Sequence, residues 1–178
     1  MTKNALVLTA TGPDKPGLVE QVTEVVEEYG GNVEASRMAR LGGEFAMLML
    51  VSAPGGRTDA LRKALSGLRH RDLQVVTRLT SGGNMKQYAG HIPYEIKFRG
   101  ADHEGIVHSV TQYLASKDIN IETLNTNVRK APMTGTPLFE MDAVVLVPGS
   151  FNFYDLREAL EEVADQSGVD VEIIPYTG

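Results

Sequence analysis

The chain is predicted to be an α+β protein built from two copies of one β-α-β-β-α-β unit. Three observations carry this reading. The stretch Gly12-Pro13-Asp14-Lys15-Pro16-Gly17, followed by Asn32, returns as Gly100-Ala101-Asp102-His103-Glu104-Gly105, followed by Asn120. The offset is 88 residues both times, 105 minus 17 and 120 minus 32. Around each copy the hydrophobic period switches between that of a strand and that of a helix in the same order, which is the split βαβ arrangement of the ferredoxin-like class. Finally, 178 residues suit two small domains, each of which buries only about 60–65% of its unfolded surface and gains from a neighbour.

The first unit is expected over residues 1–81. Ala5-Leu6-Val7-Leu8-Thr9-Ala10 is β-rich and reads as a buried strand. The glycine–proline loop ends it, and a helix is expected over 15–29. Asp14 is a candidate cap, and Pro16 suits a first turn, where a missing N–H costs little. Leu18, Val22, Val25, Val26 and Tyr29 form one apolar face, and Gly30-Gly31 is a stop signal. A strand follows over 32–41, then a tight Gly42-Gly43 hairpin and a strand over 44–52. That last strand is apolar on both faces and should be central. Leu61, Ala64, Leu65 and Leu68 mark a second helix, and 73–79 a fourth strand. Met38, Met47 and Met49 are expected in the core.

Residues 82–91 are polar, glycine-rich and without period, as a linker is. The second unit, 92–178, repeats the order. A strand is expected over 94–98 and, with Asp102 as a candidate cap, a helix carrying Ile106, Val110, Tyr113 and Leu114. A further strand opens at Asn120. Gly12, Asp14, Gly17, Val19, Val22, Thr23, Asn32 and Glu34 recur identically without a gap. The offset then grows, since Pro54-Gly55 returns as Pro148-Gly149, so six extra residues belong near 130–137. A strand over 138–147, a helix carrying Leu156, Ala159, Leu160 and Val163, and a strand over 169–174 complete it.

A net charge of −6 disfavours non-specific nucleic-acid binding, and no direct nucleic-acid contact is expected. Phe45 is the only aromatic between Ala39 and Ser52, too few for an RNA-stacking sheet. With no cysteine there is no disulfide, iron–sulfur cluster or thiolate metal site. The apolar run 45–53 is too short to span a membrane and no secretory signal is visible, so the expected location is the cytoplasm. His103 and His108 are five apart and do not share a helix face, so no metal and no cofactor is expected. No nucleophile–base pair has a supporting context, which argues against an enzyme. Arg69-His70-Arg71 suits the solvated end of a helix. Asn125 and Asn127 alternate on one strand face, fit to line a pocket or to face water. Met133, in the longer second-unit loop, is a candidate partner contact.

A glycine-rich strand-to-helix turn leaves backbone N–H groups outward at the positive end of a helix dipole, a site for an anion. In an acidic chain it suits a small carboxylate better than a polyphosphate. It lacks the ending of a P-loop and the glycine spacing of a dinucleotide fingerprint. Asn32 has both donor and acceptor, enough to hold an ammonium or a carboxylate. The same residues also make a plain capped turn.

The motif Gly12-Pro13-Asp14-Lys15-Pro16-Gly17-Leu18-Val19, with Gly31-Asn32-Val33-Glu34 and Ser36-Arg37-Met38-Ala39-Arg40-Leu41-Gly42-Gly43-Glu44-Phe45, resembles an ACT domain. The tandem arrangement is most similar to the family of the glycine cleavage system transcriptional repressor, and it covers almost the whole chain. The resemblance implies side-by-side domain pairing and amino-acid binding at the domain interface. It implies site residues Asp14, Lys15, Pro16, Gly17, Leu18 and Asn32, with a weaker second set at Asp102, His103, Gly105 and Asn120. There His103-Glu104 replaces Lys15-Pro16, and the added negative charge disfavours an anion. The expected function is an amino-acid-binding regulator, sensing glycine or serine and acting on transcription or metabolism through a protein partner such as a transcription factor, as a homodimer. The alternative is a ligand-independent interaction module.

Overall fold

In the computed structural model, which describes residues 3–68, 73–80 and 87–177, the chain falls into two compact units, Met1–Met85 and Lys86–Gly178. Arg69-His70-Arg71 and the 82–86 part of the anticipated linker lie outside the described residues. Residues 87–90 form a turn.

The first unit runs β1 (Lys3–Pro13), α1 (Leu18–Glu28), β2 (Asn32–Leu41), β3 (Glu44–Pro54), α2 (Thr58–Gly67) and β4 (Gln74–Thr80). Its four strands form an antiparallel sheet in the order β2-β3-β1-β4. Alternation decides which side is covered. Leu6, Leu8 and Ala10 of β1 and Met47, Met49 and Val51 of β3 point to the helices and are buried. Leu18, Val22 and Val26 of α1 and Leu61 and Leu65 of α2 meet them. Each leucine, valine and methionine among them contributes about 1.5–3 kcal/mol relative to exposure.

Two local expectations need correction. The helix starts at Leu18, with Gly17 as its N-cap, and Asp14 does not cap it. Met38 is 42% exposed despite its inward register opposite Met47. It sits on the edge strand, where β2 has a neighbour on one side only.

The second unit repeats the plan with β5 (His91–Ala101), α3 (Ile106–Ser116), β6 (Asn120–Lys130), β7 (Pro137–Pro148), α4 (Phe153–Gln166) and β8 (Val169–Pro175), in sheet order β6-β7-β5-β8. Its separate core includes Ile96, Phe98, Val110, Leu114, Met141, Val145, Leu156 and Leu160. Both edge strands carry a register shift at the same place, between Val33 and Ala35 and between Ile121 and Thr123. The six additional residues lengthen this hairpin. β6 and β7 each gain one residue over β2 and β3, and the two-residue Gly42-Gly43 turn becomes loop 131–136. That loop is closed by Ala131 N–H donating to the Thr136 carbonyl at 2.8 Å. Among the described residues no helix is long and apolar enough to cross a membrane.

Candidate functional site

The first loop leaves β1 at Pro13 and enters α1 through Gly17, which holds φ 91°. Only glycine takes this conformation without cost. No side chain caps the helix. The first helical bond runs from Gln21 N–H to the Gly17 carbonyl at 3.0 Å, so the N–H groups of Leu18, Val19 and Glu20 precede any intrahelical acceptor. Asp14 is engaged at the hairpin instead. Its N–H donates to the Gly43 carbonyl at 2.9 Å, and its carboxylate pairs with Arg40 at 3.4 Å. The expected residues Asp14, Lys15, Pro16, Gly17 and Leu18 thus come together, lining a hollow of about 330 Å³ with Val19, Glu20 and Phe45.

Asn32 does not join them within the unit. It pairs with Ser52, and Ser52 with Ala5, at the far end of the sheet. Pro13 lies eight residues further along β1, about 26 Å away. Asn32 is exposed on the edge strand, so it faces outward from its own unit.

The second loop has the same backbone: Gly105 is the N-cap of α3 at φ 94°, with no side-chain cap. Asp102 N–H donates to the Pro137 carbonyl at 3.1 Å. Its hollow is larger, about 640 Å³, and is lined by Asp102, His103, Gly105, Ile106, Val107, His108, Thr126, Asn127, Val128 and Phe139. Register gives the reason. Arg40, opposite Phe45, reaches Asp14, whereas the residue opposite Phe139 is Val128. Asn127 is among the residues at this hollow, whereas Asn125, on the same strand face and opposite Asp142, is not.

His103 also changes the charge expected there. Its Nε2 makes a short contact with the Ser167 carbonyl at the C-terminus of α4, and its Nδ1 lies 3.0 Å from the Glu104 carbonyl. Both ring nitrogens face acceptors, which suits the imidazolium. The pKa is raised above 6.5, chiefly by the Ser167 carbonyl, then by Glu104, with Asp102 adding and desolvation opposing. When protonated, the form these contacts favour, the ring offsets part of the negative charge brought by Asp102 and Glu104. Asn120 again stands at the other end of its sheet, opposite Leu146, in a hollow beside Gln87 and Tyr88. Among the described residues no three His, Asp or Glu side chains gather as a metal set.

Residues 4–78 match the ACT domain family. Over 99% of this chain and 93% of its own length, the glycine cleavage system transcriptional repressor of Escherichia coli (strain K12) is 24% identical. A crystal structure of a protein of unknown role from Galdieria sulphuraria superposes with a TM-score of 0.86 at 33% identity, covering 99% of this chain and all of that one. A structure provisionally named as a glycine cleavage system transcriptional repressor gives 0.73 at 23% identity over both full chains, a likeness of fold. The first unit carries the ACT match, and the second repeats its fold. Two lining residues escape a reading of the loop alone. Glu20 lies one turn into α1, and Phe45 opens β3 across from Gly12. The signal was present: Phe45 returns as Phe139 at the same enlarged offset as Pro54-Gly55.

Proposed function

We propose that the protein is a regulator that binds a small amino acid, glycine or serine, at the first loop, and that it passes the signal to a protein partner. The observation that carries this reading is an uncapped helix start opened by a left-handed glycine beside a hollow of about 330 Å³. The ligand carboxylate takes the N–H groups of Leu18, Val19 and Glu20, favoured by the helix dipole. Lys15 adds positive charge at the rim, and Pro16 and Gly17 keep the approach to the backbone open. The ligand ammonium is held by an asparagine carbonyl, with the Glu20 carboxylate as a second acceptor.

Because Asn32 stands about 26 Å from its own loop, the site needs an antiparallel neighbour. A second copy of the chain, pairing edge strand β2, supplies its Asn32 and makes the protein a homodimer. Ligand binding then favours the paired arrangement by the difference in its affinity for the paired and unpaired states. Asp102, His103, Gly105 and Asn120 form the second, weaker site, where Asp102 and Glu104 compete with a carboxylate. The relationship to a transcriptional repressor supports an output on transcription through a partner such as a transcription factor.

Isothermal calorimetry with Asn32→Ala and Gly17→Val tests the site, and both should abolish binding seen with the wild type. One observation favours the ligand-independent module. Met133, at the tip of loop 131–136, is 99% exposed. In that case a pull-down survives loss of the first loop and fails on deletion of 131–136.

A further inference from the structure

From the structure we infer that the outer face of the first-unit sheet, opposite the helices, docks an acidic amphipathic helix of a partner protein. This deepens the reading above, on which it rests for the existence of a partner. Strand register places Leu50 beside Val7 on this face, and Leu48 and Val76 on either side of Thr9. Leu48 is 47% and Val76 61% exposed. Val7, Leu48 and Leu50 line a shallow cavity of about 330 Å³ together with Arg37. A contiguous apolar surface flanked by charge is the mark of an interaction site.

The charge identifies the occupant. Arg37 lies on edge strand β2 and Arg78 on the opposite edge β4, about 16 Å apart, three strand spacings across and two residues along. Arg37 Nη1 donates only to its neighbour's carbonyl, that of Ser36, and neither arginine has a carboxylate partner among the described residues. The second unit provides an internal control on the same backbone. Its residues at the places of Val7, Leu48, Leu50 and Val76 are Glu95, Asp142, Val144 and Glu172, and those at Arg37 and Arg78 are Asn125 and Ile174. That face satisfies its own charges: Lys97 pairs with Glu95 at 3.2 Å and Arg99 with Asp142 at 2.6 Å.

The first-unit face therefore offers an apolar strip between two cations that have no carboxylate partner among the described residues. A helix about 10 Å wide fits between them, its apolar stripe on Leu48 and Leu50 and its carboxylates toward Arg37 and Arg78. The carboxylates on this face stand at its two ends, Glu34 bonded to the Ser52 hydroxyl and Glu44 opposite Pro13, so packing the face on itself in a second copy would gather four arginines about the strip, which disfavours self-association there.

The test uses the full chain and three synthetic helical peptides of about 16 residues, labelled for fluorescence anisotropy. One is a Leu/Glu amphipathic helix, one its Leu/Lys counterpart, and one the Leu/Glu composition scrambled. The acidic amphipathic peptide should bind at least about tenfold more tightly than the other two. Leu48→Asp should abolish its binding, and Arg37→Glu with Arg78→Glu should transfer the preference to the basic peptide. Asn125→Glu on the second unit should change nothing, and far-UV circular dichroism verifies that each variant is folded. Binding of no peptide, equal binding of acidic and basic peptides, or indifference to the double reversal overturns the inference. So does a wild-type dimer in sedimentation velocity that Leu48→Asp splits. Amino-acid calorimetry is read separately, so loss of the ligand reading and loss of this one give different results.

Discussion

Gly17 and Gly105 hold φ 91° and 94°, and a Cβ at either would meet nothing closer than 4.0 Å. The demand for glycine is therefore torsional, not steric. Replacing Gly17 by alanine should cost about 1–2 kcal/mol through the left-handed penalty alone. Asparagine, which tolerates that region, should cost less than valine. Thermal melts of the three variants check the order, and equal losses would contradict it. His103 gives a second residue-scale expectation. Its folded pKa is raised, so its stabilising contribution is complete below the unfolded value near 6.5 and is lost as pH rises through the folded one. An NMR titration should place His103 above 6.5, and a decline in melting temperature above that pH should vanish in His103→Gln.

At the scale of elements, β5 and β8 approach through Gly100, which stands opposite Val169. A Cβ there would fall 2.8 Å from the Val169 Cα. Gly100→Ala should destabilise the second unit by about 1–3 kcal/mol, because the backbone must move. A urea titration of the variant against wild type measures this. The order of elements was legible in the sequence because each strand and helix repeats its pattern in the other unit. The added residues at 130–137 were legible through the change of offset from Asn120 to Pro148. Helix starts were less so. Asp14 and Asp102 have cap chemistry, but Gly17 and Gly105 turn the chain into the helix three residues later, and the Asp14 carboxylate is drawn to Arg40 on another strand. Met38 looked like core because pattern reports the face of a strand and not how far the helices cover its edge.

For the whole molecule, the two cores share no residue. The fragment 87–178 should therefore fold alone, with a cooperative urea transition and native far-UV circular dichroism. A fragment without such a transition would show that the unit depends on the first. The distance between Asn32 and its own loop also belongs to this scale. Motif spacing makes them neighbours in sequence logic, but antiparallel register sends them to opposite ends of one sheet. A site joining them is a property of an assembly, and a single unit does not complete it.

The most direct measurement is isothermal calorimetry of the full chain against the twenty amino acids, repeated with Gly17→Val and Asn32→Ala. Glycine or serine should bind the wild type and neither variant, although exposed Asn32 can be lost without unfolding the domain. No heat with any amino acid, or equal binding by wild type and both variants, would contradict the first loop as a ligand site.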